Sequence, residues 1–201
     1  MTDEQHYRQQ RPLSRSKITD GGIEVMRWCL SHRADPAARE LADRHYNRQK
    51  PGTKQFVPPG RCCVLLEETG RAFWITSWPF AEYVKHDWAG AWVCSAFRSE
   101  DAGASTELIR QAIAASRAFW GEVPALGCIT FIDPRHVEPI MTHGVPTFGR
   151  TWIKAGFKYV GKTKAGLLAY QILPRDMPPA APAKPRSMYG DAPLFAKEAA
   201  E

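Results

Sequence analysis

At 201 residues, the chain is sized for one catalytic domain with tails, because a domain takes roughly 100–200 residues, and a multi-domain machine is excluded. Hydrophobic residues at 44%, aromatics at 11% with seven Trp, and charged residues at 24% supply ample material for a packed core and exclude global disorder. Lys and Arg number 27 against 21 Asp and Glu, a net charge of +6 that suits a polyanionic partner.

Residues 1–20 are polar and basic without hydrophobic periodicity and read as a flexible arm. IEVMRWCL over 23–30 reads as a strand, and PAARELADRHY over 36–46 as a helix with Pro at its start. CCVLLEE (62–68) and AFWITSW (72–78) are two strands joined through Thr69, Gly70 and Arg71, a hairpin signal. A third strand follows over 89–98. STELIRQAIAASRAFW (105–120) sets Leu108, Ile109, Ala112, Ile113 and Ser116 on one helical face. ALGCITFID (125–133) is a buried-type strand, 148–157 a short helix stopped by Gly156, and FKYVGKT and GLLAYQIL two closing strands. The last 28 residues, from Pro174, hold six prolines, so a disordered tail is expected over 175–201 and a catalytic domain over 21–174.

The predicted order is β-α-β-β-β-α-β-α-β-β. Strands joined by short turns run antiparallel, whereas a strand, a long helix and a strand over 90–132 make a parallel crossover. The fold class is therefore α/β (α+β), a mixed and mostly antiparallel sheet with a central parallel strand pair, flanked by helices. In such sheets a ligand site forms where the parallel neighbours part, here near Arg98 and Asp133. No run approaches the roughly 18 apolar residues of a membrane span, and MTDEQHYRQQRPLSRSK lacks a signal peptide's apolar stretch. A soluble cytoplasmic protein with no membrane partner is expected. The five cysteines are odd in number, without a CxxC pair, and sit mostly in apolar runs, as free thiols do.

Four segments carry chemistry. FRSEDAGASTELIR (97–110) joins strand to helix through Gly103, Ala104, Ser105 and Thr106, small residues whose backbone amides can approach an anion at a helix N-terminus; ordinary helix capping reads the same residues equally well. RHYNRQKPGTKQFVPPGR (44–61) offers His45 for proton exchange, Tyr46 for hydrogen bonding or stacking, and Lys50, Lys54 and Arg61 for phosphates. TFIDPRHVEP (130–139) ends a strand in Asp133, suited to general-base work or, with His45 and His136, to metal ligation, although Asp before Pro is also a turn signal. In 146–173, Arg150, Lys154, Lys162 and Lys164 alternate with Trp152, Phe157 and Tyr159, a pattern suited to nucleic acid and an unpaired base.

The element order with the strand-loop-helix segment resembles the GNAT superfamily of acyltransferases, whose pyrophosphate loop is patterned Arg/Gln-x-x-Gly-x-Gly/Ala. Here that loop reads Glu100, Asp101, Ala102, Gly103, Ala104, Ser105, with negative charge where pyrophosphate would lie. RHYNR, the FR strand end with ASTELIRQA, TFIDP and TWIKAGFKYVGKTKAGL, in that order over about residues 24–174, resemble the Mom family of bacteriophage DNA-modification proteins. The resemblance implies a GNAT-like fold, and conversion of adenine in double-stranded DNA to N6-carbamoylmethyl (methylcarbamoyl, acetamido) adenine, which protects phage DNA from restriction. It implies functional roles for His45, Tyr46, Arg98, Ser105 and Asp133. It also implies an acyl or glycyl donor, acetyl-CoA or glycyl-tRNA, and an association with iron for which His45 and Asp133 are the first ligands to consider.

The chemistry demanded is consistent with these residues. The adenine N6 lone pair is delocalised into the ring, so the amine needs a base or an activated donor, and in a duplex it must first be extruded. Asp133 or His45 could take the proton, Arg98 and the loop amides could stabilise negative charge on the donor, and Tyr46 and Trp152 could stack on the base. A GNAT acetyltransferase acting on a small amine or protein, and a nucleic-acid-binding module without catalysis, are the competing readings.

Overall fold

The structure is a computed structural model that describes residues 19–20 and 23–186; the expected arm lies almost wholly outside these residues, as does the end of the tail beyond 186. The main sheet has seven strands: β1 (Trp28–Ser31), β2 (Cys62–Glu67), β3 (Ala72–Ser77), β4 (Trp92–Ser99), β5 (Cys128–Ile132), β6 (Lys158–Lys162) and β7 (Leu168–Ile172). Their order across the sheet is β6-β7-β5-β4-β3-β2-β1. Every neighbouring pair is antiparallel except β4 with β5, the pair that the long crossover predicts.

Three α-helices accompany the sheet: α1 (Pro36–Asp43), α2 (Ser105–Trp120) and α3 (Arg150–Lys154). The helix expected over 36–46 ends at Asp43, so His45 and Tyr46 stand in the turn beyond it. Asp35 caps α1, its carboxylate accepting from the Ala37 amide at 3.0 Å ahead of Pro36, whose fixed φ suits a first helical position. The strand expected over 23–30 divides: Ile23–Glu24 pairs with Thr19–Asp20, and β1 begins only at Trp28, after Arg27 has turned aside to bond Glu67.

Two cores lie on opposite faces. On one, α2 buries Leu108, Ile109, Ala112 and Ile113 against Trp28, Leu65 and Trp74, each large apolar side chain contributing roughly 1.5–3 kcal/mol. Two indole nitrogens there are satisfied, Trp28 donating to the Leu108 carbonyl at 2.8 Å and Trp74 to Ser116 Oγ at 3.2 Å, whereas the buried Trp92 Nε1 has no hydrogen-bond partner among the described residues. On the other face α1 sets Leu41 and Ala42 against Val64, Leu66, Phe73 and Ile75. This two-sided covering explains why β2 and β3 are nearly continuous apolar runs rather than alternating ones. All five cysteines are free, and burial pushes the Cys63 and Cys128 thiols up to about 12.

The proline-rich segment departs from expectation. Through Arg186 it is an ordered strap rather than a disordered tail. Met177 is buried in the α2 core, Arg117 donates to the Pro178 carbonyl at 2.6 Å, and Lys184 exchanges backbone hydrogen bonds of 2.9 Å with Trp28 and Leu30 along the outer edge of β1. Ion pairs join Lys184 to Glu68 and Arg186 to Asp35. Proline cannot donate to a ladder, but it is tolerated beside an edge strand, and covering that edge removes a site of unwanted pairing.

A further element was not expected. Between β5 and α3 the chain forms a hairpin of Ile140–Thr142 with Val145–Thr147. Its two turn residues, His143 and Gly144, have φ of 49° and 78°, the left-handed pair that closes a two-residue turn.

The strap predicts that Met177→Ala lowers unfolding free energy by about 2 kcal/mol or more, the usual cost of a buried Met truncation, whereas Met141→Ala on the exposed hairpin changes it by less than about 0.5 kcal/mol. Urea denaturation of the two variants measures both, and equal midpoints would remove the strap from the folded core.

Candidate active site

The parallel pairing of β4 and β5 lasts only three residues, from Trp92 opposite Cys128 to Cys94 opposite Thr130. Past that point β4 follows β3 and β5 follows β7. Ser95 is an extra residue in β4, because Ala96 pairs with Ile75 while Cys94 pairs with Thr76. Such a bulge bends its strand and redirects side chains. Between the parted strands lies a cleft of about 300 Å³ whose walls include His45, Tyr46, Phe97, Ser105, Arg150 and Trp152.

One wall is a stack of rings. His45 lies on Tyr46 with centroids 4.6 Å apart, and Tyr46 on His136 at 5.4 Å and 13° between planes. The Asn47 amide approaches His45 Nδ1 at 3.3 Å, and the Asn47 side chain donates to the Ser95 carbonyl at 2.8 Å, tying this turn to the bulge. Burial holds the His45 pKa below its ordinary value; hydrogen bonds with Asn47 and the Phe97 backbone oppose this, and the Arg98 charge adds to it. The imidazole is therefore neutral near pH 7 and able to accept a proton. Burial raises the Tyr46 phenol, opposed by a backbone hydrogen bond with Asp133, so it stays protonated.

Asp133 is, like Arg98, absent from the cleft walls, and it is already engaged. Its carboxylate accepts from the Arg135 amide at 3.0 Å and from the Arg135 guanidinium at 2.9 and 2.7 Å, and the His136 ring nitrogen lies 3.9 Å away. Arg135 holds the Asp133 pKa at about 2. Of the two sequence readings, the turn is the one that this geometry supports: the Asp133 carboxylate accepts from the backbone two residues on. As a base it is weak, since a carboxylate so strongly favoured in its ionised form gives little driving force for proton abstraction.

Arg98 is not where a donor-stabilising cation would stand. It is absent from the cleft walls, donating instead to Glu100 at 2.6 Å and to the Arg44 carbonyl at 2.8 Å. Arg44 adds a two-pronged pair to Glu100 at 2.9 and 2.8 Å, and these two arginines bring the Glu100 pKa down to about 2. The Glu100 part of the negative charge that the sequence puts in the loop is thus neutralised locally. Within the loop only Ser105 lines the cleft. Gly103, at φ 100°, packs so close to Arg27 that a Cβ would lie 2.9 Å from its guanidinium, and Arg27 donates to the Ala102 carbonyl at 2.5 Å. Ala104 precedes α2 without a side-chain cap, and Thr106 follows within its first turn.

The basic residues do not form one patch. Arg150 and Trp152 line the cleft, with Arg150 donating to Thr142 at 3.1 Å and Trp152 packed edge-on against Phe97 and Phe157. Lys50 borders a second cavity that shares His45, Asn47, Ser95 and Ala96 with the first. Lys54, Lys154, Lys162 and Lys164 are exposed elsewhere. Arg61 is removed from the site altogether: it lies over the Trp120 ring at 5.1 Å, at the opposite end of α2 from Ser105, about 20 Å away at 1.5 Å per residue.

Nor do His45 and Asp133 fit a metal. The Tyr46 ring stands between His45 and His136, Arg135 occupies the Asp133 oxygens, and no group of three His, Cys, Asp or Glu able to hold an ion occurs among the described residues. Among the same residues no helix is long and apolar enough to cross a membrane.

Sequence reasoning missed Asn47 and the Arg135 clamp. The first is visible only as the residue after RHY, and the second follows from an Asp-Pro-Arg turn that folds its own cation back. Compared with protein-family models, curated proteins and solved structures, the chain matches none.

The two clamped carboxylates predict an acid limb of stability. Because Asp133 and Glu100 titrate lower when folded than their ordinary 3.8 and 4.5, their contribution is complete above about pH 5 and is lost as pH falls toward 2. Glu100→Gln should flatten that limb in thermal melts between pH 5 and 2.5. An unchanged slope would show the arginine pairs to be equally formed in the unfolded chain.

Proposed function

We propose that the protein is a DNA adenine hypermodification enzyme of the Mom type on a GNAT-like fold, converting adenine in duplex DNA to N6-carbamoylmethyl adenine and so protecting phage DNA from restriction in the host cytoplasm. The observation that carries this reading is convergence. His45, Tyr46 and Ser105, picked out in two segments about sixty residues apart in sequence, line one cleft at the parting of the parallel strands, and Asp133 of a third segment hydrogen-bonds Tyr46 through its backbone.

The roles follow from the environments. His45, half-buried and neutral, takes the proton of N6 as that nitrogen attacks the carrier-bound carbonyl carbon, and passes it to the departing carrier. From glycyl-tRNA this gives an N6-glycyl group, an isomer that must then rearrange to the carbamoylmethyl product. Both faces of the Tyr46 ring are covered, by His45 and His136, so stacking on an extruded adenine falls to Trp152 in the cleft wall. Ser105 and the uncapped amides that open α2 after Gly103 and Ala104, with Thr106 behind them, face the donor's carbonyl or phosphate. Asp133 is a positioning residue that fixes Tyr46 and His136. The donor is an acyl or glycyl carrier, acetyl-CoA or glycyl-tRNA. Glycine has the two carbons and the nitrogen of the added group, and the net charge of +6 accommodates tRNA as well as DNA. No step is assigned to iron, because the donor set does not suit it.

A second reading is favoured by one observation. The Arg44 and Arg98 clamp on Glu100 relieves the repulsion that would keep pyrophosphate from the loop, so an acetyl-CoA-dependent acetyltransferase on a small amine or protein remains the alternative. It predicts a rise in melting temperature with acetyl-CoA and no change in DNA.

His45→Gln should lower protection of plasmid DNA against restriction nucleases by about 100-fold or more, the usual worth of a positioned base, with the melting temperature retained. The wild-type rate should hold steady from pH 8 downward and fall only below 6.5, the ordinary histidine value, as the imidazole gains its proton. Full protection by the variant would take His45 out of the reaction.

A further inference from the structure

We infer that the Ile140–Thr142/Val145–Thr147 hairpin is a wedge that enters the DNA duplex and fills the place of the extruded adenine, with Met141 and Val145 as the inserting side chains. This rests on the DNA-modifying reading above. Single exposed apolar side chains are ordinary, but a contiguous exposed apolar group marks an interaction site. Here Ile140, Met141 and Val145 are 51%, 60% and 62% exposed, on a segment with no charged residue from 140 to 147.

The hairpin is built to stand still. Its register, Ile140 with Thr147 and Thr142 with Val145, puts these four on one face and Met141 with Pro146 on the other, so apolar side chains project on both sides of the tip. A free two-stranded hairpin is marginal in water. This one is closed by a tight turn at His143 and Gly144 and held beside its tip, where Arg150 bonds Thr142 at 3.1 Å, while Val137, just ahead of its base, packs on the core. Pro146 blunts it against strand pairing with another chain.

Its position matches the task. Ile140 and Thr147 belong to the wall of the cleft that holds His45 and Tyr46, so the tip projects from the rim of the pocket a flipped base would enter. Extrusion leaves a gap in the stack, and proteins that unstack base steps fill such gaps with Met, Leu, Ile or Phe wedges. Arg135, with a side chain 74% exposed, lies on the segment leading into the hairpin, and Arg150 leaves it on the other side, both suited to flanking phosphates.

The test titrates full-length protein and a Met141→Ala, Val145→Thr double variant with duplexes in which 2-aminopurine, whose fluorescence rises on leaving the stack, replaces adenine. The wild type should raise the fluorescence, and the double variant should lose at least about fivefold of that rise while still binding the duplex. An abasic site opposite the probe, which lowers the cost of extrusion, should restore the variant's signal. A double variant that matches the wild type, or a wild type that binds without raising fluorescence, would overturn the wedge and leave the DNA-modifying reading standing. A wild type that binds no duplex and leaves plasmid adenine unmodified would overturn that reading and the wedge with it. If the wild type elutes in gel filtration as a dimer and the double variant as a monomer, the exposed side chains serve a contact between copies and the wedge is overturned.

Discussion

The short life of one strand pairing governs this molecule. Three residue pairs after β4 and β5 come together they separate, and the bulge at Ser95 turns β4 away. A continuous ladder would satisfy more backbone groups but leave no opening in the sheet. The cost is offset by Asn47, whose side chain takes up the Ser95 carbonyl, and by the antiparallel neighbours that hold each parted strand. Everything in the cleft, the ring stack on one wall and Ser105 with Trp152 on the other, is positioned by that opening.

Electrostatics then sorts the titratable groups. Four acidic residues are tied to arginines: Asp133 to Arg135, Glu100 to Arg44 and Arg98, Asp43 to Arg48, and Glu67 to Arg27. Carboxylates paired in this way are kept ionised and hold turns in place, but they are poor bases. His45 is treated in the opposite manner, half-buried against the Tyr46 and Phe73 rings and held neutral. Of the two candidate proton acceptors offered by the sequence, Asp133 and His45, only His45 keeps that role.

How much of this was legible follows from range. The order of strands and helices reads directly because α2 repeats its apolar face every turn and β2 and β3 are joined by a Gly-containing turn. The parallel pair reads from the length of the crossover alone. The hairpin at 140–147 escaped because Pro139 and Pro146 break the strand pattern, although Thr-His-Gly-Val at its centre carries a turn signal. The strap escaped for a related reason. Proline content argues against a helix or an internal strand, but it says nothing against an extended segment laid along β1, and Met177 reveals its burial only when α2 is in place. Within the site, His45, Tyr46, Ser105, Trp152 and Arg150 do meet at the cleft, whereas Arg98 and Arg61 do not. An arginine's destination depends on which carboxylate or ring is near in space, and Glu100 and Trp120 are the partners that claimed these two.

The central claim is that a cleft with a neutral, half-buried histidine modifies adenine in DNA. It is tested most directly by mass spectrometry of nucleosides from plasmid DNA recovered from bacteria expressing the intact protein. The account predicts a deoxyadenosine derivative heavier by one glycinamide residue, present with the wild type and absent from cells making folded His45→Gln protein. Unmodified deoxyadenosine throughout, from cells shown to contain soluble folded wild type and both donors, would contradict it and leave the acetyltransferase reading in its place.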